Sequence, residues 1–132
     1  MTNRVKVVIP THYYQFDQQG VAFNMWYLAY IEQARNGFLA EQGFSLEDLL
    51  SSEHDIQVVH VEIDWKGPLR YGDPLEIEVF TERIGSSSFA LRFNVIVDGE
   101  ESATATSVYV IIGAHTHMKA KFPDSLRRAL ER

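Results

Sequence analysis

Residues 17–35 read DQQGVAFNMWYLAYIEQAR, an acidic residue and a glycine turn running into a segment too apolar to lie on a surface. Met25, Trp26, Tyr27, Leu28, Ala29, Tyr30 and Ile31 are all apolar or aromatic, and Ala34, Phe38, Leu39 and Ala40 follow at helical spacing. A helix apolar on every side through its first two turns is normally buried, and this run falls far short of the roughly 20 residues of a membrane span. Glu32, Gln33, Asn36 and Glu41 widen a polar face only toward the C-terminus. With Gly43 placed to end the helix in the left-handed conformation, the pattern predicts a start near Asn24 and about 19 residues, roughly 28 Å of helix. Asp17 then stands at the positive end of a buried helix.

Outward from this segment the chain turns to strands. Upstream, RVKVVI at 4–9 is a β-branched run ended by Pro10, whereas THYYQF at 11–16 shows no deciding alternation and an extended segment is only one reading of it. Downstream, Ser45 with Asp48 forms a capping box for a short helix ending near Ser51 or Ser52. Val59, Val61, Ile63 and Trp65 then alternate with His60, Glu62 and Asp64, as do Leu75, Ile77 and Val79 with Glu76 and Glu78. Phe89, Leu91, Phe93, Val95 and Val97 point one way, and Asp98-Gly99 signals a hairpin to a last strand from about Ser102 to Ile112. The small residues Ser102, Ala103, Ala105 and Ser107 are read first as plain packing, with close approach of a helix or another subunit as the alternative. A short terminal helix follows Pro123, with Arg127, Arg128 and Arg132 as its solvated side.

One long helix and an antiparallel meander of four or five strands make an α+β fold in which one sheet buries the helix. A chain of 132 residues with 45% hydrophobic content fits one domain spanning 1–132. With no cysteine, thiol nucleophiles, thiolate metal sites and disulfides are excluded. The net charge is −6 and the twelve Lys and Arg are scattered, so the footprint of nucleic-acid binding is missing. No stretch reads as a signal or membrane segment, and a cytoplasmic location is the default expectation. A single sheet leaves edges open, so self-association is expected, a dimer being the simplest case.

The order Asp17, Gly20, Val21, Phe23, Asn24, Tyr27, Glu32, Ala34, Arg35 resembles the signature of hotdog-fold acyl-CoA thioesterases of the 4-hydroxybenzoyl-CoA thioesterase family. GDPLEIEVFTERIGSSS at 72–88 resembles that family's second long strand and the serine-bearing turn after it. The resemblance covers nearly the whole chain. It implies a curved antiparallel sheet of about five strands wrapped around one long central helix. It also implies homodimers joined edge to edge, with homotetramers among relatives, and active sites at the dimer interface.

The implied reaction is hydrolysis of an acyl-CoA thioester, with no cofactor, CoA being part of the substrate. By resemblance Asp17 is the nucleophile or general base, backbone N–H groups near Asn24 form the oxyanion hole, and Gly20 permits close backbone approach. Asn24 stands where relatives often carry histidine or tyrosine. Gln15, two residues before the aspartate, is assigned no role. Taken alone, Asp17 is also readable as a helix N-cap. Val21, Phe23, Trp26 and Tyr27 are candidate substrate contacts, Trp26, Tyr27 and Tyr30 being equally readable as core. Lys66, Arg70, Arg83, Lys119 and Lys121 are candidates for the CoA phosphates, and Ser86, Ser87 and Ser88 for its pantetheine or nucleotide portion. Glu32 and Arg35 pair as a structural feature. His115 and His117 share the spacing of two metal ligands on a strand, but no third ligand is evident and no metal is expected. A hydratase or dehydratase would need a histidine at the junction, and none lies between Asp17 and Arg35. A non-catalytic binder of acyl-CoA or acyl carrier is the other alternative.

Overall fold

The computed structural model describes residues 3–132. Its elements in order are β1 (Val5–Val8), a 3-10 turn (Tyr13–Gln15), α1 (Trp26–Glu41), α2 (Leu46–Ser51), β2 (His54–Trp65), β3 (Leu75–Ile84), β4 (Ser88–Val97), β5 (Glu100–Gly113) and α3 (Asp124–Glu131). The strands form one five-stranded sheet in the order β1-β3-β4-β5-β2, with every pairing antiparallel. The alternation read from sequence sets its faces. Ile77 lies opposite Val95 and Val79 opposite Phe93, and all four are buried on the side that α1 covers with Tyr27, Tyr30, Ile31, Ala34, Phe38 and Leu39. Asp98 and Gly99 both take positive φ, 50° and 82°, the two-residue turn whose twist suits a hairpin.

The helix begins two residues later than expected and spans 16 residues, about 24 Å. Its entry is wound more tightly than an α-helix. The N–H groups of Trp26, Tyr27 and Leu28 donate to the carbonyls of Phe23, Asn24 and Met25, each three residues back. At the other end Gly43, at φ 101°, donates to Ala40 O and Phe44 donates to Leu39 O, the paired bonds of a Schellman stop. The segment 11–16, left undecided by sequence, is a 3-10 turn followed by Phe16 in a bridge with Ala22.

Gly37 lies close against β1: a Cβ there would stand 2.7 Å from Val7 Cγ1. The expected effect of Gly37→Ala is therefore a net loss of about 1 kcal/mol in chemical denaturation. Overpacking against a stiff β-branched side chain costs about 1–3 kcal/mol and outweighs the helix-propensity gain of about 1. Ala103, Ala105 and Ser107 lie buried on the helix-facing side of β5 as packing residues.

Two expectations are corrected here. Arg127 and Arg132 are not merely solvated. Arg127 donates to Gly85 O at 2.7 Å and lies over the Phe122 ring, and Arg132 donates to Gln42 O, so α3 is tied to both the β3–β4 turn and the end of α1. Nor is α1 buried on every side. Met25 and Leu28 are 68% and 50% exposed. They face the side where β2, twelve residues long, forms the sheet's edge with Val58, Val59 and Trp65 exposed. A long edge strand carrying apolar residues is a template for pairing with another chain.

Candidate functional site

Asp17 caps no helix; α1 has no side-chain cap and starts nine residues later. The carboxylate instead organises its own turn. Oδ1 accepts from the N–H groups of Gln19 (2.9 Å) and Val21 (3.1 Å), the Asp17 carbonyl accepts from Gly20 N–H, and Asp17 N–H donates to Val21 O. These bonds engage one carboxylate oxygen, and among the described residues no donor reaches Oδ2. Gly20 sits at φ 76° with open space where a Cβ would stand, so the turn needs glycine for its backbone angle.

Two flanking segments fix this turn to the rest of the fold. On the far side Val21 bridges Arg70, Ala22 N–H donates to Leu69 O, and Tyr71 N–H donates to Gly20 O. On the near side Phe16 bridges Ala22, and Phe23 N–H donates to the backbone O of Gln15. The chain therefore returns past Asp17 before entering α1. At that entry the N–H groups of Asn24 and Met25 have no hydrogen-bond acceptor among the described residues, because the tight winding satisfies only Trp26 onward. Unpaired donors at a helix N-terminus, reinforced by its dipole, are suited to negative charge.

Gln15, which sequence left without a role, is 2% exposed. Its Oε1 accepts from the Tyr30 hydroxyl at 2.8 Å and from His12 N–H at 3.1 Å. Tyr30 is fully enclosed, and burial, with smaller contributions from Tyr27 and Tyr14, pushes its hydroxyl pKa up to about 12. Nothing in the sequence singled Gln15 out, since glutamine is common and its partner lies 15 residues away.

Beside the helix entry runs an open apolar groove of about 460 Å³, lined by Asn24, Met25, Leu28, Val61, Ile63 and Trp65. That volume lies within the range of small-molecule sites, roughly 300–1,000 Å³. The aromatic candidates fall differently. Tyr27 and Tyr30 are core, Tyr27 meeting Trp65 edge-on, and Trp26 lies half-buried against Tyr14. Of the other candidates, Asn24 lines the groove, Phe23 is 46% exposed at its approach, and Val21 is half-buried in the Asp17 turn. Met25, Leu28, Val61, Ile63 and Trp65 were not singled out as groove residues. The signal for them lay in two patterns taken together, a helix apolar on all sides and an edge strand with one apolar face.

The basic and serine candidates are dispersed. Lys66 pairs with Glu101, and Arg70 lies next to the Asp17 turn through its bridge to Val21. Ser86, Ser87 and Ser88 form the β3–β4 turn, where Arg83 Nη1 reaches Ser88 Oγ at 3.5 Å. Ser88 pairs with Val110, whereas Trp65, at the groove, pairs with Ala103. Seven residues of strand, roughly 24 Å, separate the two ends, so one chain does not bring the serine turn and Arg83 to Asp17. Lys119 and Lys121 lie in the segment after β5, as do the exposed His115 and His117; among the described residues no three potential ligands cluster as a metal site. Glu32 and Arg35 pair at 2.9 Å, with Arg35 nearly buried and 5.3 Å from the Tyr109 ring centre. No helix of the described residues is long and apolar enough to cross a membrane.

Comparison with known proteins gives concordant relatives. The family profile described as the thioesterase-like superfamily matches residues 14–130. A 1,4-dihydroxy-2-naphthoyl-CoA hydrolase of Prochlorococcus marinus is 32% identical over 111 residues, covering 78% of this chain and 72% of that one. Another of the same name from Synechococcus elongatus is 26% identical over 117 residues, 87% of this chain and 86% of the other. Among solved structures, a Thermus thermophilus thioesterase complexed with coenzyme A and Zn superposes with a TM-score of 0.78 at 26% identity, over 95% of this chain and 90% of that one.

Proposed function

The chain belongs to the thioesterase-like superfamily, and from that premise we propose that it hydrolyses an acyl-CoA thioester to the free acid and CoA, using Asp17 and the entry of α1. The observation that carries this reading is that the turn of Asp17 and the helix entry that follows it present, among the described residues, a carboxylate oxygen that no donor reaches and two backbone N–H groups without an acceptor. Oδ2 of Asp17 attacks the thioester carbonyl, or takes a proton from the water that does. The carbonyl oxygen, as it gains negative charge, is met by the N–H groups of Asn24 and Met25, donors fixed in place before the reaction begins. Collapse of the tetrahedral adduct expels a thiolate. Where water attacked, this gives the free acid directly and the proton held by Asp17 passes to the departed thiolate. Where Asp17 attacked, it leaves an acyl–Asp17 anhydride that water then hydrolyses to the free acid and the regenerated carboxylate. Because a thiol has a pKa of about 8.5, this leaving group departs without a protonated acid beside it. The absence of any histidine in 17–35 therefore costs a thioesterase little, and it argues against the hydratase alternative.

The acyl group lies in the groove of Leu28, Val61, Ile63 and Trp65, and its other wall comes from a second copy. Antiparallel pairing of β2 with its counterpart reverses the ends of the two sheets. It carries the partner subunit's Ser87 and the partner's Arg83 toward the Asp17 end, within reach of the CoA portion. Arg70 and Lys66 lie on the same chain as Asp17 and complete the basic rim. The similarly named relatives act on an aromatic acyl-CoA, and a flat ring suits a groove whose end is formed by Trp65.

The test is a panel of aromatic and fatty acyl-CoA thioesters assayed for free thiol, together with sedimentation analysis. Thiol release by a dimer is expected, fastest with aromatic acyl groups. Acyl-CoA bound with its thioester intact after prolonged incubation would overturn the enzymatic reading in favour of a binding protein, and an active monomer would overturn the shared site.

A further inference from the structure

We propose that Gln15 is a positioning residue for this reaction: its side-chain oxygen ties the Asn24–Met25 donor pair to the interior of α1 through Tyr30. The inference rests on the thioesterase reading above and adds a residue to it. Gln15 accepts three hydrogen bonds. Its backbone O holds Phe23 N–H at 3.1 Å, and its Oε1 holds the Tyr30 hydroxyl at 2.8 Å and His12 N–H at 3.1 Å. Phe23 is the residue immediately before the donor pair, and its own carbonyl accepts from Trp26 N–H, closing the turn that contains Asn24 and Met25. Gln15 thus grips that turn from outside while Tyr30, one helical turn inside α1, grips Gln15.

The orientation of the carboxamide follows from chemistry. His12 N–H is a backbone donor and has no lone pair to offer, so the atom it meets must be the amide oxygen. The Tyr30 hydroxyl, kept protonated by burial, donates to the same oxygen. Both contacts use Oε1, and no acceptor meets Nε2 among the described residues. A glutamate carboxylate can accept from both donors as well as the amide does, whereas a methyl group can accept from neither. The role therefore depends on an acceptor at this position and not on an amide.

That distinction supplies the test. Three variants, Gln15→Ala, Gln15→Glu and Tyr30→Phe, are compared with the parent on the acyl-CoA thioester it cleaves fastest. Tyr30→Phe removes one hydroxyl and keeps the ring, so it folds even where Gln15→Ala does not. The expected result is a kcat lowered about 30-fold in Gln15→Ala and about 10-fold in Tyr30→Phe, with KM within about 3-fold, the signature of misplaced donors rather than lost binding. Gln15→Glu is expected to recover most of the kcat that Gln15→Ala loses. If Gln15→Ala keeps the parent's kcat, or if Gln15→Glu is as impaired as Gln15→Ala while its Phe23 amide exchanges at the parent's rate, the positioning role is overturned. If KM rises and kcat holds, Gln15 contacts the ligand and the proposal fails in the same way.

A second readout needs no substrate. Amide hydrogen exchange at Phe23 is expected to quicken about 10-fold or more in Tyr30→Phe, while the Gln19 and Val21 amides held by Asp17 keep their protection. Unchanged exchange at Phe23 would overturn the proposal even if the parent hydrolysed no thioester. A parent without activity but with the expected exchange pattern would instead sink the thioesterase reading and leave the brace standing.

Discussion

Asp17→Asn is expected to lower kcat about 10³-fold or more while leaving the fold intact, a loss of about 4 kcal/mol of transition-state stabilisation. The substitution is informative because the two oxygens of Asp17 do different things. Oδ1 accepts from Gln19 and Val21 N–H and so holds the turn. An asparagine carbonyl accepts both bonds equally well, so the turn persists with its charge and its second carboxylate oxygen gone. Asp17→Ala removes the turn bonds as well and is expected to lower thermal stability in addition to activity. The pair separates chemistry from architecture: an Asn variant that keeps full turnover with an unchanged melting temperature would eliminate Asp17 as the reacting group. Thiol release measured under single-turnover conditions is the assay, since it excludes product release from the comparison.

The strands were legible in the sequence because alternation is a period-two signal, and the faces of β3 and β4 because burial in one sheet enforces it. By contrast β2, expected to bury Val59, Val61, Ile63 and Trp65, shifts register at Val58/His60 and leaves Val59 and Trp65 exposed at the edge. The Asp98-Gly99 hairpin and the Ser45–Asp48 box were legible because turns and caps depend on local chemistry. The start of α1 was misplaced by two residues because Asn24 and Met25 belong to a tightly wound entry whose residues look helical in sequence. That small difference matters chemically, because the tight winding pairs the N–H groups of Trp26 and Tyr27 and so confines the donors without an acceptor, among the described residues, to Asn24 and Met25. Gln15, the groove residues of β2 and the separation of the serine turn from Asp17 depend on contacts between segments distant in the chain. The open flank of Met25 and Leu28 escaped for a related reason. An apolar helix face reads the same whether its own chain or a second copy covers it.

The other large effect is expected at the donor pair itself, from Asn24→Pro compared with Asn24→Ala. Asn24 and Met25 are the central residues of the turn closed by Trp26 N–H and Phe23 O, and Met25 has φ −63° and ψ −26°. Proline is favoured at the first central position of such a turn, because its ring fixes a φ near −65°. The substitution at Asn24 therefore suits the backbone and deletes one hydrogen, on an N–H that has no acceptor to lose among the described residues. Met25→Pro would be a poorer probe, because proline at the second position disfavours the helical conformation of the residue before it. Removing one oxyanion donor costs about 10²–10³-fold in kcat, roughly 2.7–4 kcal/mol, and Asn24→Pro is expected to fall in that range with its melting temperature close to the parent's. Asn24→Ala keeps the N–H and loses only the carboxamide, so its loss measures what the side chain adds. If the two variants lose activity equally, the side chain and not the backbone meets the carbonyl oxygen. If Asn24→Pro remains fully active, Met25 N–H bears the charge alone, and the Gln15 brace acts on that donor.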